Sequence, residues 1–269
     1  MARRVADGIQ RHMVCIIAAL VGALIFILIY GIHVLNPFYT DWLMNGGDLM
    51  QHYLGWEFYR KSDWFFPIGL TDQLAYPTKS SVIFTDSIPL FALIFKVLTA
   101  GMEGRFQYFG FFGISCFMLQ GFWAAKILQR WLTDKGQVLI GSVFFILSPI
   151  VIFRMYYHTA LAAQWIILVS IYLCVVHKDN YEKLVKTSLQ WAMVGILIGS
   201  IHLYFVPMCA MLLGGYILYS FVEERKIKIK YIIPGISFVV GLFSTVWLLG
   251  GFASGIDTGA SDSLGYYSF

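Results

Sequence analysis

Met13-Val14-Cys15-Ile16-Ile17-Ala18-Ala19-Leu20-Val21-Gly22-Ala23-Leu24-Ile25-Phe26-Ile27-Leu28-Ile29-Tyr30-Gly31-Ile32-His33-Val34-Leu35 carries no charged side chain other than a titratable histidine. A helix needs about 20 apolar residues to cross the hydrocarbon of a bilayer. The run exceeds a signal-peptide core of about 7–15 residues and lacks a clear small-residue cleavage site. It reads as a retained membrane helix. The basic segment Met1–Arg11 before it puts the N-terminus in the cytoplasm.

The rest of the chain agrees. Of 269 residues, 59% are hydrophobic and 13% charged, where a soluble domain carries roughly 25% charged residues. The net charge of +4 comes from short basic loops between apolar runs, which is a membrane pattern and not a nucleic-acid one. Cys15, Cys116, Cys174 and Cys209 lie inside apolar stretches, as small buried hydrophobes. Their spacing gives neither a disulfide framework nor a zinc motif.

Further spans are expected at 106–126, 137–155, 159–176, 188–201, 203–222 and 231–251. The run 188–222 is too long for one crossing, so a tight hairpin falls at Ile201-His202-Leu203-Tyr204. Pro207 then sits in the first turns of the returning helix, where it costs least. Ser87–Thr99 is only about 13 residues long, a length more often re-entrant or interfacial than spanning. Charge counting supports this. Lys126, Arg130 and Lys135, then Lys178, Lys183 and Lys186, then Arg225, Lys226, Lys228 and Lys230 all reach the cytoplasm if 87–99 does not cross. The fold expected is an all-α polytopic membrane protein with about seven transmembrane helices, one half-inserted helix and a large first extracytoplasmic loop.

That loop, 36–86, holds six acids and three Lys/Arg. Within it Leu49, Tyr53 and Trp56 have helical spacing and suit an interfacial helix, with Asp48 as its N-cap. Asp48, Gln51 and His52 then project from one helix face. A carboxylate placed there suits a general base, and it also suits a divalent cation; capping alone is the plainer reading. Asp41 is a second candidate acid, otherwise a solvated loop residue. Asp86, before Ser87-Ile88-Pro89, reads better as a helix cap. Arg154 and His158, four residues apart, suit a phosphate or, for the Arg, snorkelling to lipid headgroups. His202 stands in its hairpin with little polar company.

Absences narrow the field. There is no P-loop, no nucleophile elbow and no H-E-x-x-H. Gly214-Gly215, and the small residues around Gly195 and Gly199, read as helix packing.

Asp48-x-x-Gln51-His52-x-x-Gly55-Trp56, Trp64-Phe65-Phe66-Pro67-x-Gly69, Tyr76-Pro77, Thr85-Asp86-Ser87-x-Pro89-Leu90, Arg154-x-x-x-His158-x-Ala160-Leu161-x-x-Gln164-Trp165 and His202-x-Tyr204 resemble an uncharacterised family of bacterial multi-pass membrane proteins. That family is similar to the GT-C superfamily of membrane glycosyltransferases. The resemblance implies a GT-C-like transmembrane module over 1–251 and the start of an outer region, cut short, over 252–269. It implies a bacterial plasma-membrane enzyme that transfers a sugar from a polyprenyl-phosphate donor to an extracytoplasmic acceptor. Asp48 or Asp41 would be its base, and Gln51, His52, Arg154, His158 and His202 would bind substrate. The expected partners are the lipid-linked sugar and membrane lipid, with no nucleic acid. No cofactor is certain, and a divalent metal ion is compatible. Two other readings stand beside it, a non-catalytic scaffold and a transporter or flippase of lipid-linked material.

Overall fold

The computed structural model describes residues 2–75, 78–179, 184–225 and 229–253. Tyr76-Pro77, Lys183, Lys226, Lys228 and the segment 254–269, read above as the start of an outer region, lie outside them. Ten helices occur among the described residues: α1 (Ala2–Tyr30), α2 (Gly47–Lys61), α3 (Pro89–Leu98), α4 (Phe109–Leu128), α5 (Lys135–Ile146), α6 (Pro149–Tyr157), α7 (Trp165–Asp179), α8 (Leu184–Ile201), α9 (Phe205–Glu224) and α10 (Ile229–Leu248).

Seven stretches are long and apolar enough to cross a membrane: Gln10–Tyr30, Phe109–Leu128, Lys135–Tyr157, Thr159–Val176, Leu184–Ile201, Phe205–Glu223 and Tyr231–Leu248. They follow the expected spans to within a few residues. The third is broken. Pro149 opens α6, and Ser148 before it is extended (φ −52°, ψ 125°), as a residue preceding proline prefers. The hairpin at 201–205 is present, with Pro207 in the first turn of α9.

The direction of each helix follows from contacts at its ends. At one end, the backbone of Leu248 and Leu249 after α10 accepts bonds from Ile68 N and Ser81 Oγ of the first long loop. Tyr30 Oη, at the end of α1, donates to Ile152 O of α6 at 2.8 Å. At the opposite end, Gln129 Nε2 after α4 reaches Arg11 O, and Lys135 Nζ reaches Gln10 Oε1. The loop 31–108 therefore roofs the end where α1, α6, α8 and α10 finish.

Small residues let helices meet at backbone distance. A Cβ on Gly121 would strike the backbone of Ala18, and one on Gly195 would strike that of Phe238. This is the close packing that replaces hydrophobic drive between membrane helices. Gly214 and Gly215 do not take part: among the described residues, nothing lies within 4 Å of a Cβ built on either. The packing expected of them is absent because α9 turns that face outward, with Met211 78% exposed.

Three features define the roof. It contains a two-stranded antiparallel hairpin, β1 (Leu70–Ala75) and β2 (Thr78–Ser81), with Leu70 opposite Ser81. The hairpin is held by the end of α10, a long-range contact that local sequence cannot announce. α2 packs one side firmly onto the rest of the roof. Leu49, Tyr53, Trp56 and Tyr59 are buried, Trp56 Nε1 donates to Phe106 O at 2.8 Å, and Arg60 bonds Glu57, Gly104 O and Met102 O. Asp48, Gln51, Phe58 and Lys61 keep its opposite side exposed, as the expected interfacial helix requires. α3 is a single short helix as expected; ten residues span about 15 Å, half the hydrocarbon thickness.

Candidate functional site: a carboxylate ringed by three histidines

The site is assembled from four separate segments. α2 begins at Gly47, with Gly46 as its N-cap and no side-chain cap bond. Asp48 is thus not the cap that its position suggested, because both glycines adopt positive φ (89° and 64°) and the helix starts two residues earlier, with Gly46 as its cap. Asp48 lies exposed in the first turn, where the helix dipole favours a negative charge. One turn on, Gln51 is exposed and His52 is buried, so the shared face expected for the three divides into a wet side and a dry one.

The second segment is Thr85–Ile88. Asp86 and Ile88 both have φ 54°, a left-handed conformation that costs about 1–3 kcal/mol per non-glycine residue and persists only when the surroundings enforce it. They are enforced here. Ser87 Oγ donates to His52 O at 2.6 Å, Thr85 Oγ1 donates to Val82 O at 2.9 Å, and Tyr108 Oη bonds Ser87 O. Asp86 caps nothing. The N-cap of α3 is Ile88, without a side-chain bond, so the capping role expected of Asp86 is corrected. Its carboxylate is turned to histidines instead.

His158 and His202 are the third and fourth contributions. α6 ends at Tyr157, and His158 follows with φ −149° and ψ 76°. That turn separates it from Arg154. Arg154 is exposed, His158 is buried, and the common face expected of them does not exist. His202 occupies the α8–α9 turn, only 7% exposed. Its polar company is Asp86, invisible in the local sequence because it lies 116 positions away.

Around Asp86 the geometry is close. His202 Nε2 lies 2.9 Å from Oδ1, His158 Nε2 3.5 Å from Oδ2 and His52 Nε2 3.8 Å from Oδ2. The ring centroids of His52 and His158 are 4.5 Å apart, and those of His158 and His202 4.9 Å. Three of the chain's six histidines therefore share one carboxylate. His202 Nδ1 accepts the Tyr204 N–H at 3.1 Å, which places the proton of a neutral His202 on Nε2, facing Asp86. That N–H lies off the direct line to the oxygen, so Nε2 completes no regular hydrogen bond, and neither do His52 Nδ1 and His158 Nδ1.

Burial, then the neighbouring His158, lower the His52 pKa to about 4 against the opposing pull of Asp86 and Asp48. His52 is thus a neutral imidazole at pH 7. Burial alone would raise the Asp86 carboxylate, but His158 and His202 outweigh it and hold it well below the usual range. Asp86 keeps 30% of its side chain exposed, so the cluster is reachable from outside.

Beside the cluster runs a cleft of about 430 Å³ lined by Trp42, Asn45–Leu49, Tyr156 and Tyr157. Asp48 is its only acid. Arg154 does not line it and joins no ion pair among the described residues. Asp41 sits exposed in a short turn next to Trp42 and does not line the cleft either. A smaller cleft of about 210 Å³ at the opposite end of the bundle is lined by Gln10, Arg11, Gln129, Lys135 and neighbouring residues, without an acid or imidazole.

Sequence reasoning singled out His52, His158 and His202 but missed what joins them, Asp86. The available signal was topological. All three histidines were expected on one side of the bilayer, and an imidazole group gathered there asks for a carboxylate.

The family described as a domain of unknown function (DUF6311) matches residues 19–269. No curated protein and no solved structure matches the chain.

Proposed function

The chain belongs to the DUF6311 family, and on that premise we propose that it is a membrane glycosyltransferase of GT-C type. It acts at the outer face of a bacterial plasma membrane, with its N-terminus in the cytoplasm. It moves a sugar from a polyprenyl-phosphate donor to an extracytoplasmic acceptor. The observation that carries the reading is Asp48: an exposed carboxylate in an aromatic-walled cleft, at the same end of the apolar bundle as the histidine cluster. Tyr156, Tyr157 and Trp42 suit both a sugar face and the headgroup zone.

In this reaction the acceptor hydroxyl oxygen attacks the anomeric carbon. Its proton passes to Asp48 as general base. The bond from the anomeric carbon to the phosphate oxygen breaks, and polyprenyl phosphate leaves. Arg154, exposed one turn before His158, is a cation available to the leaving phosphate. The part first given to His158 and His202, direct phosphate binding, sits less well, since Asp86 already faces both rings and would repel an anion.

The experiment is a transfer assay with purified protein and polyprenyl-phosphate sugars, read by mass spectrometry. Asp48→Asn should leave the melting temperature nearly unchanged, since an exposed first-turn carboxylate is worth about 0.3–1 kcal/mol through the helix dipole. Transfer should fall about 10²–10⁴-fold, the usual worth of a general base. If Asp48→Asn transfers like the wild type while Asp41→Asn does not, the base is the other loop acid. A wild type that neither transfers nor hydrolyses any such donor favours a scaffold.

A further inference from the structure

We infer that His52 Nε2, His158 Nε2 and Asp86 Oδ2 form a binding site for one divalent transition-metal ion of the zinc or manganese class, with His202 orienting the carboxylate from behind. The inference rests on the geometry of the cluster and does not require the transfer reaction.

The three donor atoms lie within 4.8 Å of one another. Donors held at 2.0–2.2 Å from a tetrahedral ion stand about 3.3–3.6 Å apart. The observed 3.5 Å and 3.8 Å from Asp86 Oδ2 need only a few tenths of an ångström of closure, and the edge between the two imidazole donors, within 4.8 Å, needs at most about 1.5 Å. Two imidazoles and one carboxylate, with further positions open, form a donor set used by catalytic zinc and by non-haem iron sites. Thiolates are absent from it, which disfavours copper(I) or an iron–sulfur cluster.

Charge points the same way. Among the described residues, every group that faces the Asp86 carboxylate closely enough to pair is a histidine, from α2, from the α6–α7 turn and from the α8–α9 turn. No Lys or Arg pairs with it. Asp48 adds a second negative charge within electrostatic reach of His52. A cluster of this kind wants a cation.

His202 belongs behind the site and not in it. Its Nδ1 is engaged by the Tyr204 N–H, so Nε2 carries the proton and has no lone pair for a metal. From 2.9 Å it restrains Oδ1 and leaves Oδ2 to the ion, which is the work of an outer-shell partner. The backbone is built for the purpose: Asp86 is held at φ 54° by Ser87, whose hydroxyl ties it to the carbonyl of His52 itself.

The competing occupant is a proton. One imidazolium in the cluster would also balance Asp86, and metal loading separates the two. Protein made without a polyhistidine tag, purified in detergent and stripped with chelator, is loaded with Zn²⁺ or Co²⁺ and desalted. Metal content is then measured by mass spectrometry, and Co²⁺ by its visible d–d bands. Wild type should hold about one ion per chain, and so should His12→Gln, a change at an exposed histidine. Asp86→Asn and His158→Gln should hold less than about a tenth of that. His202→Gln should keep the stoichiometry at saturating metal with affinity lowered about 10–100-fold, the usual cost of an outer-shell loss. A stripped wild type that takes up no more metal than Asp86→Asn overturns the site. So does a folded His158→Gln that binds normally. If either ligand variant fails to fold, the wild-type stoichiometry and the Co²⁺ bands decide alone; bands without imidazole character would overturn it too.

Discussion

Gly55 shows how much of the site hangs on one missing methyl group. It lies in the middle of α2, where alanine would ordinarily stabilise a helix by about 1 kcal/mol. Here a Cβ would fall on the side chains of Thr85 and Ser87, the two residues that bracket Asp86. Overpacking of this kind costs about 1–3 kcal/mol, and the clash should win. Gly55→Ala is expected to lower the melting temperature and to weaken metal uptake by the Asp86 cluster, because the 85–88 segment must move away from His52. A melting temperature that rises instead would mean that α2 and this segment are not in contact. The same residue scale explains why Asp86 was misread. Before Ile88-Pro89 it has the local signature of a cap, and only the left-handed backbone, enforced from Tyr108 and α2, points it elsewhere.

Among the elements, α3 carries the most exceptional charge. Lys96 is 4% exposed, yet it is well partnered. Its Nζ donates to Ser62 Oγ at 3.1 Å and to Asp63 O at 3.2 Å, and it lies over the rings of Tyr59 and Trp64 at 4.1 and 4.6 Å. Such satisfaction is what a structural lysine needs. Burial lowers its pKa from 10.5 to about 8, with Asp63 and Asp72 opposing. The folded state therefore holds its proton less tightly than the unfolded chain does. Between pH 8 and about 10.5 the unfolded chain binds more protons, so this group makes stability rise with pH across that window. Thermal melts should show the wild type gaining on Lys96→Met as pH increases from 8 to about 10.5. A constant difference between the two would mean that Lys96 has an ordinary, solvated ammonium.

For the whole molecule, the alternation of helix ends makes a labelling prediction. Glu103, in the loop between α3 and α4, and Thr133, between α4 and α5, are both exposed and lie at opposite ends of α4. In intact cells an impermeant maleimide should label Glu103→Cys from outside and should reach Thr133→Cys only after permeabilisation. Cys15, Cys116 and Cys209 are buried and Cys174 half-buried, so labelling is read against the unsubstituted protein. The reverse pattern would invert the protein and place the Asp86 cluster in the cytoplasm. Equal labelling of both from one side would mean that α4 does not cross.

By itself the sequence determined the seven apolar helices, their hairpin at His202 and the shortness of α3. Hydrocarbon thickness sets a length that apolar runs must meet, and a proline or a polar turn between two runs is local information. It also isolated His158 and His202 at the ends or turns of apolar helices, and His52 on the helix of the polar first loop. Only the tertiary structure decided that these three meet around Asp86, that Arg154 faces away from His158, and that α2 puts His52 on its dry side and Asp48 on its wet one. Those outcomes depend on contacts between residues 34 to 116 positions apart, as from His52 to Asp86 and from Asp86 to His202. They depend too on a left-handed turn that no propensity favours and that only the packed roof enforces.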